Sequence, residues 1–166
     1  GITSSDSNAT LPGNAALVSG TKTFSVTLKT AGTATVTATD ITDGTKTANT
    51  TPSTTVNAGA LDRFAFAAIV SQTVGTPFNI TVTAKDGYGN AVTSFTGTVN
   101  LSTTAGTIAP TVSGSFTSGT RTESVTVSQG GNGRTITATR TGGSETGTSG
   151  AFDVVSTIVS TASGGL

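Results

Sequence analysis

The sequence predicts an all-β fold, and three observations support that prediction. Thr and Ser together make up about a third of the chain, and Thr and Val restrict χ1 in a way that suits a pleated sheet better than a helix. Apolar and polar residues alternate strictly in FNITVTAK at 78–85, so every second side chain lies on one face. A ten-residue pattern also occurs twice, which indicates a repeated unit.

The repeated pattern is SGTKTFSVTL at 19–28, which returns as SGTRTESVTV at 118–127, 99 residues later. Other matching segments keep separations of 98 to 100 residues, for example TVTATD at 35–40 and TITATR at 135–140. A period near 100 residues is too long for a solenoid unit and fits one immunoglobulin-like antiparallel β-sandwich. We therefore expect both copies of the ten-residue pattern to form the same strand.

The complete copy of the unit is expected at 61–155, with about seven short strands. In the repeated strand, Val125 and Val127 are expected to be buried, as are Val26 and Leu28 in the first copy. The segment GGSETG at 142–147 is expected to close a hairpin onto Phe152 and Val154. The other residues expected to mark the core strands are Phe64, Phe66, Ala68, Phe78, Ile80, Val82, Ala84, Phe95, Val99, Leu101, Phe116, Ile136 and Ala138.

The first copy, 1–57, is expected to be an incomplete domain that lacks its first two strands, with 58–60 as a linker. Two explanations stay open: the chain is a fragment cut inside a domain, or another chain supplies the strands by β-strand addition. The tail at 156–166, which contains Ile158 and Val159, is a possible donor strand or a linker.

Charge and composition exclude several classes of function. The formal net charge is zero and the eight Lys and Arg residues are scattered, so nothing attracts a phosphate backbone and we expect no nucleic acid partner. Apolar runs such as 64–70 are too short to span a bilayer, so no membrane insertion is expected. The chain has no Cys, which rules out disulfides and thiolate metal sites. This composition favours an exposed, extracellular protein.

No catalytic, cofactor-binding or metal-binding residue is predicted, and the chain is not expected to be an enzyme. It has no His and no Cys, so acid–base chemistry would fall to Lys or to carboxylates that no motif arranges in pairs. These carboxylates are Asp6, Asp40, Asp43, Asp62, Asp86, Asp153, Glu123 and Glu145.

Three loops have compositions that are found in ligand sites. DITDG at 40–44 carries Asp40 and Asp43, which could bind Ca²⁺, but Asp and Gly also favour turns and the further acidic ligands of a calcium loop are missing. KDGYGN at 85–90 and SQGGNGR at 128–134 are glycine-rich, yet neither precedes a predicted helix, so both are interpreted as tight turns.

The remaining candidates are surface features. Lys22, Lys29 and Lys85 lie at predicted outward positions, which argues against a bond between Lys and Asn side chains. Four Asn-X-Ser/Thr sequences occur, close to the number that chance produces in so Thr-rich a chain; they begin at Asn8, Asn49, Asn79 and Asn100. A sugar-stacking platform would use Phe64, Phe66, Phe78 and Tyr88, but the alternation assigns the three Phe residues to the core.

Two segments carry a resemblance to a known family: FNITVTAKDGYGNAVTSFTGTVNLSTT at 78–104, and SDSNATLP at 5–12 followed by TKTFSVTLKTAGTATVTATD at 21–40. The chain resembles the tandem bacterial immunoglobulin-like (Big-type) repeats of large cell-surface or secreted proteins, the group that includes invasin- and intimin-type modules. The resemblance covers nearly the whole chain and implies no shared catalytic residues.

The resemblance implies an extracellular or cell-surface structural module, a stalk or spacer of an adhesin-type protein, whose partners are neighbouring copies of the same repeat. The alternative is a subunit of an extracellular filament assembled by β-strand complementation. A third hypothesis is a carbohydrate-binding accessory domain.

Overall fold

The structure is a computed structural model that describes residues 1–156, and those residues form fifteen β-strands and no helix. The all-β prediction is therefore confirmed. Within the described residues, no helix has the length and apolar character needed to cross a membrane. The chain divides into two compact units, Gly1–Gly59 and Ala60–Leu166, called the first and second unit below.

The first unit contains five short strands: β1 Ile2–Ser4, β2 Gly32–Ala34, β3 Val36–Ala38, β4 Asn49–Thr50 and β5 Thr54–Val56. The described part of the second unit contains ten: β6 Leu61–Phe66, β7 Gln72–Thr73, β8 Phe78–Asp86, β9 Val99–Thr103, β10 Ile108–Ala109, β11 Thr120–Val127, β12 Gly131–Arg134, β13 Ile136–Arg140, β14 Thr146–Thr148 and β15 Phe152–Val155.

The strand order of the second unit is that of an immunoglobulin-type sandwich. One sheet has the order β10-β11-β8-β6 and another has the order β14-β13-β9. In chain order these strands correspond to A, B, D and E on one side and C, F and G on the other. A third sheet, β12-β15-β7, joins the last strand of the unit to an early one through a parallel pair.

The core of the second unit lies between these sheets, and β8 forms its centre. Along β8, buried and more exposed residues alternate over all nine positions, as the sequence predicts. The two sides meet where Phe78 of β8 packs against Phe152 of β15, with ring centroids 6.0 Å apart and the rings edge to face.

The first unit reproduces three of the strand pairs that the second unit forms from β9 onward. Ile2 lies opposite Ala38, as Leu101 lies opposite Ala138. In the same way β2 pairs with β5 as β12 pairs with β15, and β3 pairs with β4 as β13 pairs with β14. The described residues of the first unit contain no counterpart of β6, β7 or β8.

The repeated SGT sequence forms the same tight turn in both units. Ser19 and Gly20 have φ of 51° and 80°, and Ser118 and Gly119 have φ of 48° and 73°. Two successive residues with positive φ define a type I′ hairpin turn, for which Gly is favoured because it has no Cβ. Turn chemistry alone therefore accounts for this part of the repeat.

Pairs of Thr hydroxyls lie on the outward faces of both units. Thr137 and Thr148 lie 3.0 Å apart across β13 and β14, and the equivalent pair in the first unit, Thr37 and Thr50, lies 2.7 Å apart. Cross-strand Thr pairs of this kind stabilise a sheet, each by roughly 0.2–1 kcal/mol.

The first copy of the repeated stretch is not the strand that the sequence predicts. The second copy forms β11, but 19–28 makes only isolated bridges at Thr21 and Thr27. Val26 and Leu28 are half-buried rather than buried. The physical reason is that a strand exists only when it is paired, and the partner of β11 is β8, which has no counterpart here.

Three further details of the second unit correct the sequence-based assignment. The segment 142–147 closes a hairpin from β13 onto β14, because Thr146–Thr148 pairs first with the adjacent strand and the chain then crosses to the other sheet as β15. Ala68 is exposed because β6 ends at Phe66. Phe95 and Phe116 lie outside the strands, in loops that turn inward.

Two adjacent valines of β15 test the position of the core. Val154 is 3% exposed and Val155 is 52% exposed. Val154→Ala removes two buried methyl groups and is expected to lower the free energy of unfolding of the second unit by about 2 kcal/mol. The matched change Val155→Ala is expected to stay within about 0.5 kcal/mol of the parent. Urea unfolding followed by circular dichroism measures both; equal losses would contradict the assigned face.

Candidate functional site: an open sandwich edge in the first unit

The first unit repeats the core positions of the second but leaves them open. Val125 is 1% exposed, whereas its counterpart Val26 is half-buried. The contrast is larger at Phe116, which is 2% exposed while its counterpart Leu17 is 61% exposed. In the second unit, β6 and β8 cover these positions. In the first unit, no described residue covers them.

The edge of the first unit that corresponds to β11 has no partner strand among residues 1–156. In the second unit, β11 pairs with β8 from Thr120 opposite Thr83 to Val125 opposite Phe78. In the first unit, the backbone groups of 22–26 make no hydrogen bond to another described residue, while Thr21 and Thr27 on either side are bonded. A row of unpaired N–H and C=O groups is a template for a further strand.

A groove of about 540 Å³ lies beside this edge, and Phe24 belongs to both. Its walls come from β1, from the end of β3 and from the loop before the SGT turn. The larger apolar side chains that line it are Ile2, Leu17, Phe24 and Ile41. The groove therefore presents an apolar floor directly below an unpaired backbone edge.

In the second unit, aromatic rings fill the equivalent space. Phe64 of β6 lies 5.4 Å from Phe95 and 5.7 Å from Phe116, and the last two are 5.0 Å apart. Phe116 is the counterpart of Leu17. In the second unit, Phe64 of β6 therefore covers the position that Leu17 leaves exposed in the groove of the first unit.

Gly147 of the second unit corresponds to Asn49 of the first, and this difference limits which strand can cover the open face. Gly147 of β14 lies so close to the backbone of Phe64 that a Cβ at this position would overlap its carbonyl. The counterpart in the first unit is Asn49, which has a full side chain and is exposed. A strand placed as β6 is placed would therefore collide with Asn49.

Asp6 holds the end of the open edge in place. Its Oδ2 accepts hydrogen bonds from the backbone N–H groups of Lys29 at 2.6 Å and Thr30 at 2.9 Å. Its Oδ1 accepts from the Thr30 hydroxyl at 2.7 Å and from the Asn8 N–H at 3.0 Å. Asp6 is buried, and its counterpart in the second unit is the apolar Ala105.

These hydrogen bonds stabilise the charged carboxylate, so the pKa of Asp6 lies well below its ordinary value of 3.8. The largest contributions to the lower pKa come from the N–H groups of Thr30 and Lys29. From the sequence, Asp6 is predicted only as one of the carboxylates, and this role is not predicted. The local signal is that an Asp side chain commonly accepts from the backbone N–H two residues on, which forms an Asx turn.

The loop that was weighed as a calcium site uses its carboxylates to organise turns. Asp40 Oδ1 accepts from the N–H and the hydroxyl of Thr42, at 2.9 and 2.7 Å. Asp43 repeats the arrangement with Thr45, at 3.0 and 2.6 Å. The Thr hydroxyl bonds are the largest cause of the lowered pKa of both carboxyls. Among the described residues, no group of three His, Cys, Asp or Glu side chains is placed to hold a metal ion.

The glycine-rich loops also have structural partners. Asp86 is 2% exposed and accepts from the N–H groups of Tyr88 at 3.0 Å and Asn90 at 2.8 Å, which closes the DGYGN turn. In the other loop, Gly133 donates its N–H to Asp153 at 2.9 Å, next to the irregular pairing of β12 with β15.

Three other carboxylates form ion pairs with a nearby arginine at 2.9 Å: Asp62 with Arg63, Glu123 with Arg121, and Glu145 with Arg140. The hydrogen bond from Arg121 is the main reason that the pKa of Glu123 is lowered. The pKa of Glu145 is also lowered, chiefly by a hydrogen bond from its own backbone N–H. These pairs lie in separate parts of the second unit.

The surface candidates are distributed rather than assembled. Asn8, Asn49, Asn79 and Asn100 are all exposed. Lys22 is exposed, and Lys29 and Lys85 are half-buried. Of the four aromatic residues weighed as a sugar platform, Phe64 and Phe78 lie in the core, Phe66 is half-buried and Tyr88 is exposed.

A scan against protein-family models finds no match, and a search of curated proteins finds none either. Among solved structures, the chain is similar to domains 4–9 of the surface layer protein SbsC, with 26% identity and a TM-score of 0.42 over 82% of this chain and 20% of that one. It is also similar to SbsC domains 4 and 5, with 25% identity and a TM-score of 0.41 over 93% and 69% of the two chains.

A third solved structure is the D0–D1 domain of intimin, with 17% identity and a TM-score of 0.37 over 91% of this chain and 79% of that one. The chain spans about a fifth of the length of the first of these structures.

The Asp6 contacts give a prediction about acid. The folded pKa lies below the unfolded one, so the stabilisation is complete well above pH 3.8 and is lost as the pH falls below that value toward the folded pKa. Thr30→Val removes the hydroxyl that donates to Asp6 and is expected to raise the pKa of Asp6. Carboxyl-carbon NMR titration of Asp6 measures the shift.

Thr33→Val, an exposed change in β2, is the matched control and is expected to leave the Asp6 titration unchanged. At neutral pH, Thr30→Val is also expected to speed hydrogen exchange at Lys29, and this difference from the parent is expected to shrink below pH 3. An unshifted Asp6 titration in Thr30→Val would contradict the assigned contacts.

Proposed function

We propose that the chain is a non-enzymatic structural module of the bacterial cell surface or extracellular space, a stalk or spacer segment of a large adhesin-type protein. The observation that supports the proposal is the repeat of one sandwich along one chain, with the same strand pairs in the same registers about 99 residues apart. We describe it as an incomplete domain at 1–57, a linker at 58–60 and a complete domain at 61–155.

A spacer must resist extension, and the pairing of β7 with β15 suits that task. The two strands are parallel, with Val154 opposite Gln72 and Val155 opposite Thr73. A pull that enters the unit before β7 and leaves after β15 acts in opposite directions along two parallel strands. It therefore loads their hydrogen bonds together, in shear, rather than one after another.

The surface chemistry supports the same role. Outward Thr hydroxyls bind one another across strands, as Thr81 and Thr122 do at 3.0 Å. Charges of opposite sign lie side by side, as in the pair of Arg63 and Asp62. Such a surface is hydrated and produces only a weak electrostatic potential. We therefore propose that its partners are neighbouring copies of the repeat rather than nucleic acid or lipid.

A second candidate is a filament subunit that shares β-strands between chains. The observation that favours it is the unpaired edge at 22–26 with its apolar groove. In that case the first unit is completed by a strand from outside it. The tail at 156–166, which was weighed as a donor, lies outside the described residues from 157 onward.

Force spectroscopy on the full chain, held between marker domains, tests the load-bearing role. The second unit is expected to unfold in one event that releases about 95 residues, roughly 330 Å of extended chain. Val74→Pro removes the N–H that donates to the Val155 carbonyl at 2.9 Å and is expected to lower the peak force without changing that length.

The control is Val70→Pro, at an exposed position ahead of β7, which is expected to keep the parent peak force. Unfolding of the second unit in several small steps at low force would contradict the spacer role. An unchanged peak in Val74→Pro would show that the β7 and β15 pair does not carry the load.

A further inference from the structure

We propose that the edge 22–26, together with the apolar groove beside it, is a docking site for a single extended polypeptide strand that has apolar residues at alternate positions, the pattern of β8. The inference is independent of the spacer role; it starts from the same edge as the filament candidate but assigns a different occupant.

The second unit supplies the template for the bound strand. There, β8 lies antiparallel to β11, with Phe78 opposite Val125 and Ile80 opposite Glu123. Transferred to the first unit, the same register places the incoming Phe beside Val26 and the incoming Ile beside Phe24. The backbone groups of 22–26, which have no partner among the described residues, are the ones that this register pairs.

The site is more apolar than its template. Glu123 accepts from the backbone N–H of Gly114 at 2.7 Å and from Arg121 at 2.9 Å, so the template position is polar and satisfied within its own unit. The counterpart is Phe24, whose ring lines the groove. An incoming apolar side chain therefore covers more apolar surface in the first unit than Ile80 covers beside Glu123 in the second.

Asn49 limits the partner to one strand. In the second unit β6 reaches past β8 and contacts β14 at Gly147, where a Cβ does not fit. The first unit has Asn49 at that position, so a two-stranded partner with the placement of β6 and β8 is obstructed. A lone strand in the β8 position leaves Asn49 exposed and still pairs with the edge.

Two segments of this chain do not fit this description: β8 of a second copy and the tail at 157–166. The β8 strand of a second copy is hydrogen-bonded on both sides, to β11 and β6, so a folded copy cannot donate it. The segment 157–166 has its apolar residues Ile158 and Val159 side by side, which would place them on opposite faces of a strand. The occupant is therefore a strand from outside residues 1–166 that has the alternation of β8.

The test uses the full chain and a synthetic peptide, TPFNITVTAKDG, which is the sequence of 76–87. The peptide is expected to bind saturably in calorimetry and to slow hydrogen exchange at least tenfold at the amides of Lys22, Phe24 and Val26, which face the added strand because the Thr27 N–H on the opposite edge donates to Thr10. A control peptide with Ile80→Asp and Val82→Asp is expected to do neither. Slowed exchange in the second unit alone, or no binding by the parent peptide, would overturn the proposal.

Two neighbouring variants of the full chain separate docking from general damage. Phe24→Asp introduces a charge into the groove and is expected to weaken peptide binding at least tenfold. Ser25→Asp introduces the same charge at the adjacent exposed position and is expected to keep affinity within about threefold. Unchanged exchange at Thr30, beside Asp6, verifies that the first unit stays folded in both variants. Equal effects of the two variants would refute the docking face.

Two further measurements on the chain without peptide identify rival occupants. If sedimentation shows a dimer in which the 22–26 amides are already protected, a second copy occupies the edge and the proposal is wrong. Deletion of 157–166 is expected to leave exchange at 22–26 unchanged; faster exchange after the deletion would assign the edge to the chain's own tail, again against the proposal.

Discussion

The pairing of β8 with β11 is the contact on which the rest of this structure depends. It places an alternating row of apolar side chains over the sheet formed by β9, β13 and β14, and at the same time satisfies the backbone groups of its neighbours on both sides. Burial of Ile80, Val125 and Ile136 follows from this one placement. Since burial of each such side chain contributes roughly 1.5–3 kcal/mol, the strand decides whether the sandwich has a core.

A comparison of the two units shows this dependence on β8 within one chain. The pair of β1 with β3 matches the pair of β9 with β13 in register, and the SGT turns have the same backbone conformation, yet the counterparts of buried residues are open in the first unit. Hydrogen bonds between neighbouring strands and loops form in the first unit without a strand in the β8 position. The Asp6 contacts and the Thr37–Thr50 pair need only neighbouring strands and loops, so they form in the first unit regardless. The core positions, in contrast, become buried only when a second sheet packs over them.

The proposed load-bearing role and the proposed strand docking both depend on backbone hydrogen bonds between strands. In the second unit the parallel pair of β7 and β15 closes the sandwich and joins its entrance to its exit. In the first unit the corresponding strand β5 pairs with β2, and the edge at 22–26 is unpaired among the described residues. In the roles proposed above, a complete unit transmits tension through its own strands, whereas an open one offers hydrogen-bonding groups and an apolar groove to a strand from elsewhere.

The sequence alone determined the fold class, the alternation of β8 and the repeat, because each depends on local propensity and on the period of two in a strand. It also predicts that 1–57 lacks counterparts of the front strands. Tertiary structure decided the rest. SGTKTFSVTL and SGTRTESVTV differ at three positions and have the same pattern, but only the second is a strand, because pairing comes from a distant segment. The hairpin at 142–147, the close approach at Gly147 and the buried Asp6 likewise depend on which segments meet, and no local pattern specifies that.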